Sequence, residues 1–218
     1  MLSPTLSNEN NKGMLESEMK LLFPEIIDDK IKTLEFLFAA RGIVRIVDKL
    51  GKVFAPVKYD IQGNIDKLAT RYATNKEKNT TLQDMILIEI ATETATNFIA
   101  TDALMWLTRG LHMFLLFFEK IVQDAKTGTP TEDLVAFLKK SYKEALEPYH
   151  GWMAQQLFDL LSRMVPTRSQ LLRVLANEQA DNKNGIVIND MEIYLIHLRR
   201  NVSVIQSFYK THNLENIV

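Results

Sequence analysis

The residues best placed to do chemistry in this chain are polar side chains set at helical spacing beside apolar ones. Asp60, Asn64, Lys67 and Arg71 recur at i, i+4, i+7 and i+11, next to an apolar stripe of Val57, Ile61, Leu68 and Tyr72. An acid, an amide and a base on one line can accept from and donate to several hydroxyls at once. Two readings fit the stripe: a grip on a hydroxyl-rich ligand, or a solvated face laced by ion pairs. Trp106 is followed one turn later by Gly110, and Met113, Phe114, Phe117 and Ile121 continue that side. An indole at the mouth of an apolar stripe suits stacking on the C–H face of a sugar, and suits ordinary core equally well. Tyr149-His150-Gly151-Trp152 follows Pro148. His150 fits a ligand amide or a satisfied structural histidine. Trp152, beside Met153, fits a membrane–water anchor or a core position.

No hydrolase elbow, zinc-protease helix, P-loop or dinucleotide fingerprint occurs, and His112, His150, His197 and His212 lack metal-ligand spacing. No catalytic residue, metal or cofactor is expected. Net charge is −1, and no basic run exceeds Lys139-Lys140 or Arg199-Arg200, so no nucleic-acid partner is expected. Cysteine is absent, which excludes disulfides and thiolate metal sites and suits the cytoplasm. The greasiest stretch, Leu111 to Phe118, is bracketed by Arg109 and Glu119 and is far short of the roughly 20 residues of a membrane span.

The elements that must position these groups are helices. Met191, Leu195, Leu198, Val202, Ile205 and Tyr209 alternate spacings of four and three. Leu82, Met85, Ile86 and Ile90 form a second stripe, and Met153, Leu157, Leu160, Leu161 and Met164 a third. Thr80 with Gln83, Thr129 with Glu132, and Thr167 with Gln170 have capping-box spacing, with Pro130 suited to a first helical position. Gly51, Gly128, Pro148 and Pro166 mark stops, and Ile186-Val187-Ile188 is too short for a strand. The expectation is a flexible tail over residues 1–16 and one all-α domain of about eight helices over 17–218.

The ordered set Val47-Asp48-Lys49-Leu50-Gly51, Phe54 to Lys67, Ala103 to Leu111 and Tyr149-His150-Gly151-Trp152 resembles the glycolipid transfer protein family over residues 20 to 214. The resemblance implies a two-layer helical sandwich enclosing an apolar chamber for one glycosphingolipid. It implies a non-enzymatic carrier, peripheral to the cytosolic face of membranes, with a transient membrane surface as its other partner. A glycolipid sensor or adaptor on the same fold is the competing reading.

By resemblance, Asp60, Asn64 and Lys67 bond the first sugar, Trp106 stacks on it, and Asp60 and His150 grip the ceramide amide. Trp152 and Met153 face the membrane. Met113, Phe114, Phe117 and Phe158 are expected to line the chamber. The Arg109 position belongs to the family motif but carries no assigned role. Relatives that carry ceramide-1-phosphate have Arg at the stacking position, so Trp106 favours a sugar. Asp102, one turn before Trp106, resembles the four-phosphate-adaptor branch of the family; it fits a site that favours small neutral head groups such as glucosyl- or galactosylceramide, and equally an exposed acid on the helix surface. The C-terminal aromatic of founding members has no counterpart in Glu215-Asn216-Ile217-Val218. The chain is expected to be either a stand-alone protein or a piece of a longer one.

Overall fold

The computed structural model describes residues 22–92, 97–176 and 184–216. The tail expected over residues 1–16 lies outside them. Among the described residues there are eight α-helices: α1 (Thr33–Lys49), α2 (Ala55–Thr74), α3 (Leu82–Thr92), α4 (Ile99–Ala125), α5 (Val135–Ala145), α6 (Trp152–Ser162), α7 (Arg168–Ala176) and α8 (Asn184–Thr211). Short 3-10 turns precede α2 at Lys52–Phe54, precede α6 at Glu147–Tyr149 and follow α8 at Leu214–Asn216. The β-type pairing among the described residues amounts to isolated bridges, Ile27 with Lys30 and Lys32 with Thr81. Ile186, Val187 and Ile188 are the first turns of α8, not a strand.

Helix α4 is the common neighbour of the sandwich. It packs against α2, α5 and α8, while α1 packs on α2. Its inner face (Leu104, Leu107, Leu111, Leu115, Phe118, Ile121) is buried, and so is the whole α8 stripe from Met191 to Tyr209. These are the positions that helical periodicity selects. Helix α6 departs from this pattern: of its expected stripe only Leu161 is buried, and Leu157, Leu160 and Met164 stay exposed.

Three helix starts test the capping motifs. At α7 the box forms in full: Gln170 Oε1 accepts from Thr167 N–H at 3.0 Å, and Thr167 Oγ1 accepts from Gln170 N–H at 3.3 Å. At α3 the cap is one residue later than expected, with Thr81 Oγ1 accepting from Asp84 N–H at 3.2 Å. Gln83 is used elsewhere: its Oε1 takes the Ile31 N–H at 3.0 Å. No box forms at Thr129, Pro130 is not in a helix, and α5 begins only at Val135. Glu132 instead accepts from the backbone and hydroxyl of Ser169, across the chain at α7. The α4–α5 loop is thereby stitched to α7, helped by the buried Arg168 guanidinium, which bonds Thr131 O, Ile121 O and the Asp124 carboxylate.

Gly51 ends α1 with a φ of 115°, a left-handed backbone that a Cβ would strain. The chain then turns through the 3-10 segment into α2, with Pro56 in the first turn where its missing N–H costs nothing.

The N-terminus of α4 is pinned from two sides. Buried Glu89 of α3 accepts from Ala100 N–H at 2.9 Å, Thr101 N–H at 2.7 Å and the Thr101 hydroxyl at 2.7 Å. A carboxylate here satisfies orphan amides and complements the helix dipole. From α8, the buried Tyr209 hydroxyl donates to Thr101 O at 2.6 Å. The turn that leads into Asp102 and Trp106 is therefore fixed by both neighbours.

Candidate functional site

Helix α2 presents Asp60, Asn64 and Lys67 along one line, with Asn64 buried and the outer two exposed. Arg71, the fourth member of the stripe, reaches Thr92 at the end of α3 at 3.4 Å. Although Asp60 keeps much of its surface in water, it is crowded by protein atoms. That burial pushes its carboxyl above the ordinary range, against the pull of His150 and then Lys67. The acid of α2 and the histidine ahead of α6 are thus electrostatic neighbours, although the two are far apart in the chain.

His150 is half-buried at the end of the Glu147–Tyr149 turn. Its ring lies 5.8 Å from that of Trp106, centroid to centroid, with planes 26° apart. Its Nδ1 is 3.0 Å from the Tyr142 hydroxyl of α5, and its carbonyl accepts from Gln155 Nε2 at 2.8 Å. Burial lowers the imidazole pKa, with Asp60 opposing and Arg109 reinforcing.

Arg109 stacks on the face of Tyr149, 3.6 Å from guanidinium carbon to ring centroid, and lies 4.9 Å from the Trp106 ring. Burial lowers its pKa, opposed by Tyr149, Glu215, Asp102 and Tyr209. Asp102 is therefore not a bare surface acid. It is half-buried, with a cation in electrostatic range. Space beside Gly110 is open: a Cβ there would meet nothing within 4 Å.

Asp60, Lys67, Trp106 and His150 come together from α2, α4 and the α5–α6 turn. Three contributors escaped the sequence reading. Tyr142 carried no local signal, since the 3-10 turn breaks helical phase between it and His150. Tyr149 stands out in the sequence only as part of the Tyr149-His150-Gly151-Trp152 motif, and Arg109 has no assigned role there. The Trp106–Arg109 spacing of one helical turn was a signal for the last of these.

The expected chamber residues are scattered. Phe114 borders a small apolar cavity of about 10 Å³ lined by Ile46, Phe118, Leu175, Met191, Tyr194 and Leu195. Phe117 lies in the adjoining core, edge-on to Phe118. Met113 is half-buried, and Phe158 stacks on Tyr142 at 3.6 Å. Trp152 and Met153 are 72% and 78% exposed, the barest large apolar side chains among the described residues. Among those residues no group of His, Cys, Asp or Glu could hold a metal ion, and no helix is long and apolar enough to cross a membrane.

An all-α sandwich with a cluster of polar and aromatic side chains where α2, α4 and the α5–α6 turn meet is the class these elements define. Comparison with known proteins narrows it. The glycolipid transfer protein family model matches residues 31–177. Pleckstrin homology domain-containing family A member 8 of Mus musculus is 33% identical over 223 residues, covering 98% of this chain and 42% of that protein. The chain thus spans about two fifths of that relative. A solved structure of the GLTP fold of FAPP2, described as selecting simple glycosphingolipids, superposes with a TM-score of 0.79 at 32% identity, covering 94% of this chain and 96% of that one. The fungal glycolipid transfer protein HET-C2 gives 0.76 at 26%, covering 90% and 97%. Mouse ceramide-1-phosphate transfer protein gives 0.79 at 19%, covering 92% and 97%, a likeness of fold alone. The chain belongs to the glycolipid transfer protein family.

Proposed function

We propose that this protein is a non-enzymatic carrier that takes one glycosphingolipid from one membrane and delivers it to another. Asp60, Asn64 and Lys67 bond the first sugar, Trp106 stacks on it, and Asp60 and His150 hold the two ends of the ceramide amide. The observation that supports this most is the convergence of Asp60, Lys67, Trp106 and His150 from three separate elements. A bidentate polar grip beside an aromatic face suits a sugar joined to an amide.

The energetics require a dry chamber. A ceramide has on the order of 30 methylenes, and exposing them at ~0.8 kcal/mol each costs more than 20 kcal/mol. The cavity of about 10 Å³ has room for roughly one water-sized sphere, far too little for lipid chains. Phe114, Phe118, Met191 and Leu195 must therefore move aside as the chains enter. Selectivity falls to the polar and aromatic cluster, where a lipid without sugar hydroxyls leaves polar groups unpaired at roughly 1–3 kcal/mol each.

Docking is transient and uses Trp152 and Met153 at the cytosolic face of a membrane. Asp102 biases the site toward small neutral heads such as glucosyl- or galactosylceramide. The test is transfer of fluorescent glucosylceramide between vesicles. Many lipids moved per protein, recovered chemically unchanged, supports carriage. Tight binding without turnover supports the sensor reading instead, and altered lipid supports an enzyme.

A further inference from the structure

We propose that Tyr142 is a positioning residue for lipid capture: its hydroxyl donates to His150 Nδ1 and holds the imidazole in the tautomer that carries its proton on Nε2. The proposal rests on the reading of His150 as a contact to the lipid amide.

The first step concerns the tyrosine. Tyr142 is 4% exposed, and its ring is clamped face to face on Phe158, 3.6 Å apart with planes 6° from parallel. That stack leaves the hydroxyl little freedom to search for another partner. Among the described residues, the acceptor in reach is His150 Nδ1 at 3.0 Å. A buried O–H without an acceptor is costly. If Nδ1 carried the proton, the hydroxyl would have to accept, and its own hydrogen would be stranded. The Nδ1 lone pair resolves both demands, so the tyrosine donates. Burial and Glu147 raise the phenol pKa, which keeps it a donor through the physiological range.

The second step concerns the histidine. A neutral imidazole has one donor and one acceptor nitrogen, and the bond made by one fixes the role of the other. With Nδ1 accepting, Nε2 is the donor. The ring is held in place by its stack on Trp106, and its backbone by Gln155. Burial also disfavours the imidazolium. The neutral ring therefore offers one fixed N–H.

The third step is complementarity. An amide has one acceptor, its carbonyl, and one donor, its N–H. Ionised Asp60 can only accept, so it suits the amide N–H. The remaining partner must donate to the carbonyl, and only the Nε2–H tautomer can do so without a charge. Tyr142 thus makes the pair Asp60 and His150 complementary to an amide rather than to two donors or two acceptors.

The test has two arms on the full chain. Long-range 15N–1H correlation spectra report the imidazole tautomer directly. Native protein should show the proton on Nε2 of His150, and Tyr142→Phe, which keeps the ring stack, should shift the pattern toward exchange between tautomers. A proton on Nδ1 in native protein, or a pattern indifferent to Tyr142→Phe, overturns the proposal even if the variant is unstable.

In the second arm, glucosylceramide transfer should fall about three- to tenfold in Tyr142→Phe. It should fall no further when Tyr142→Phe is added to His150→Gln, whose amide donates without a tautomer. Additive losses would mark Tyr142 as plain core and also overturn the proposal. If His150→Ala transfers as well as native protein, His150 is not a lipid contact and the proposed role in capture falls with it. The spectra still decide whether Tyr142 sets the tautomer.

Discussion

The indole of Trp106 and the imidazole of His150 lie 5.8 Å apart at 26°, a near-parallel pair joining α4 to the turn ahead of α6. A sugar stacked on the one and an amide bonded to the other would share a single rigid wall. Replacing either side of the grip should damage transfer far more than folding. Asp60→Val and Trp106→Ala are each expected to lower glucosylceramide transfer at least about tenfold, the worth of one charge-assisted bond or one stacking face. Vesicle transfer with circular dichroism on the same samples checks this. Native-like rates in both variants would remove the site assignment.

Asp60 should also carry a cost that pH exposes. Its folded-state pKa is raised, chiefly by burial. The folded protein thus binds this proton more tightly than the unfolded chain, and ionised Asp60 opposes folding at neutral pH. The penalty is fully present above the folded-state pKa and gone below the ordinary carboxylate value. Asp60→Asn is therefore expected to melt above native protein at pH 7, with the gap closing as pH falls toward 3. A gap that widens on acidification would contradict the burial argument.

Asp102 has Arg109 in electrostatic range, so its repulsion of an anionic head is partly offset. The expected discrimination is modest, about three- to tenfold between a neutral monohexosyl lipid and a sialylated one. Asp102→Leu should shrink that ratio without slowing the neutral lipid. Equal transfer of the two lipids by native protein would end the idea.

Trp106 and Trp152 are the two tryptophans of the chain. In Trp106→Phe, emission therefore reports Trp152 alone. Being 72% exposed, it should emit as a solvated indole and shift to the blue when vesicles are added. Emission unchanged at saturating vesicle would place the docking face elsewhere.

Glu89 offers a stability test remote from any lipid. Glu89→Ala leaves two backbone amides and a hydroxyl at the head of α4 without their acceptor. A loss of about 2–4 kcal/mol is expected, seen as a clear drop in melting temperature. A change within about 0.5 kcal/mol would mean that water replaces the carboxylate.

Much of this was legible because α2, α4 and α8 are long and regular. Periodicity placed Asp60, Asn64 and Lys67 on one face, and selected the buried side of α8 residue by residue. Local chemistry located the α7 box and the Gly51 stop. What could not be read depended on contacts distant in sequence. Gln83 and Glu132 have capping spacing, but Ile31 and Ser169 claim them. Met153, Leu157, Leu160 and Met164 look like a core stripe, yet spacing records amphipathicity and not what covers it. Tyr142 reaches His150 only because a 3-10 turn folds the chain back.

The bare face of α6 has a kinetic meaning. Little of the core depends on it, since among its residues only Leu161 and Ser162 are buried. Its outward side chains can therefore vary without loosening the fold, and on the docking proposed above their size would set how long the protein stays on a bilayer. Each methylene withdrawn from water is worth ~0.8 kcal/mol, or about fourfold in dwell time. A shuttle must let go as readily as it lands. On that same proposal, helix α6 is where departure rate could be tuned one side chain at a time.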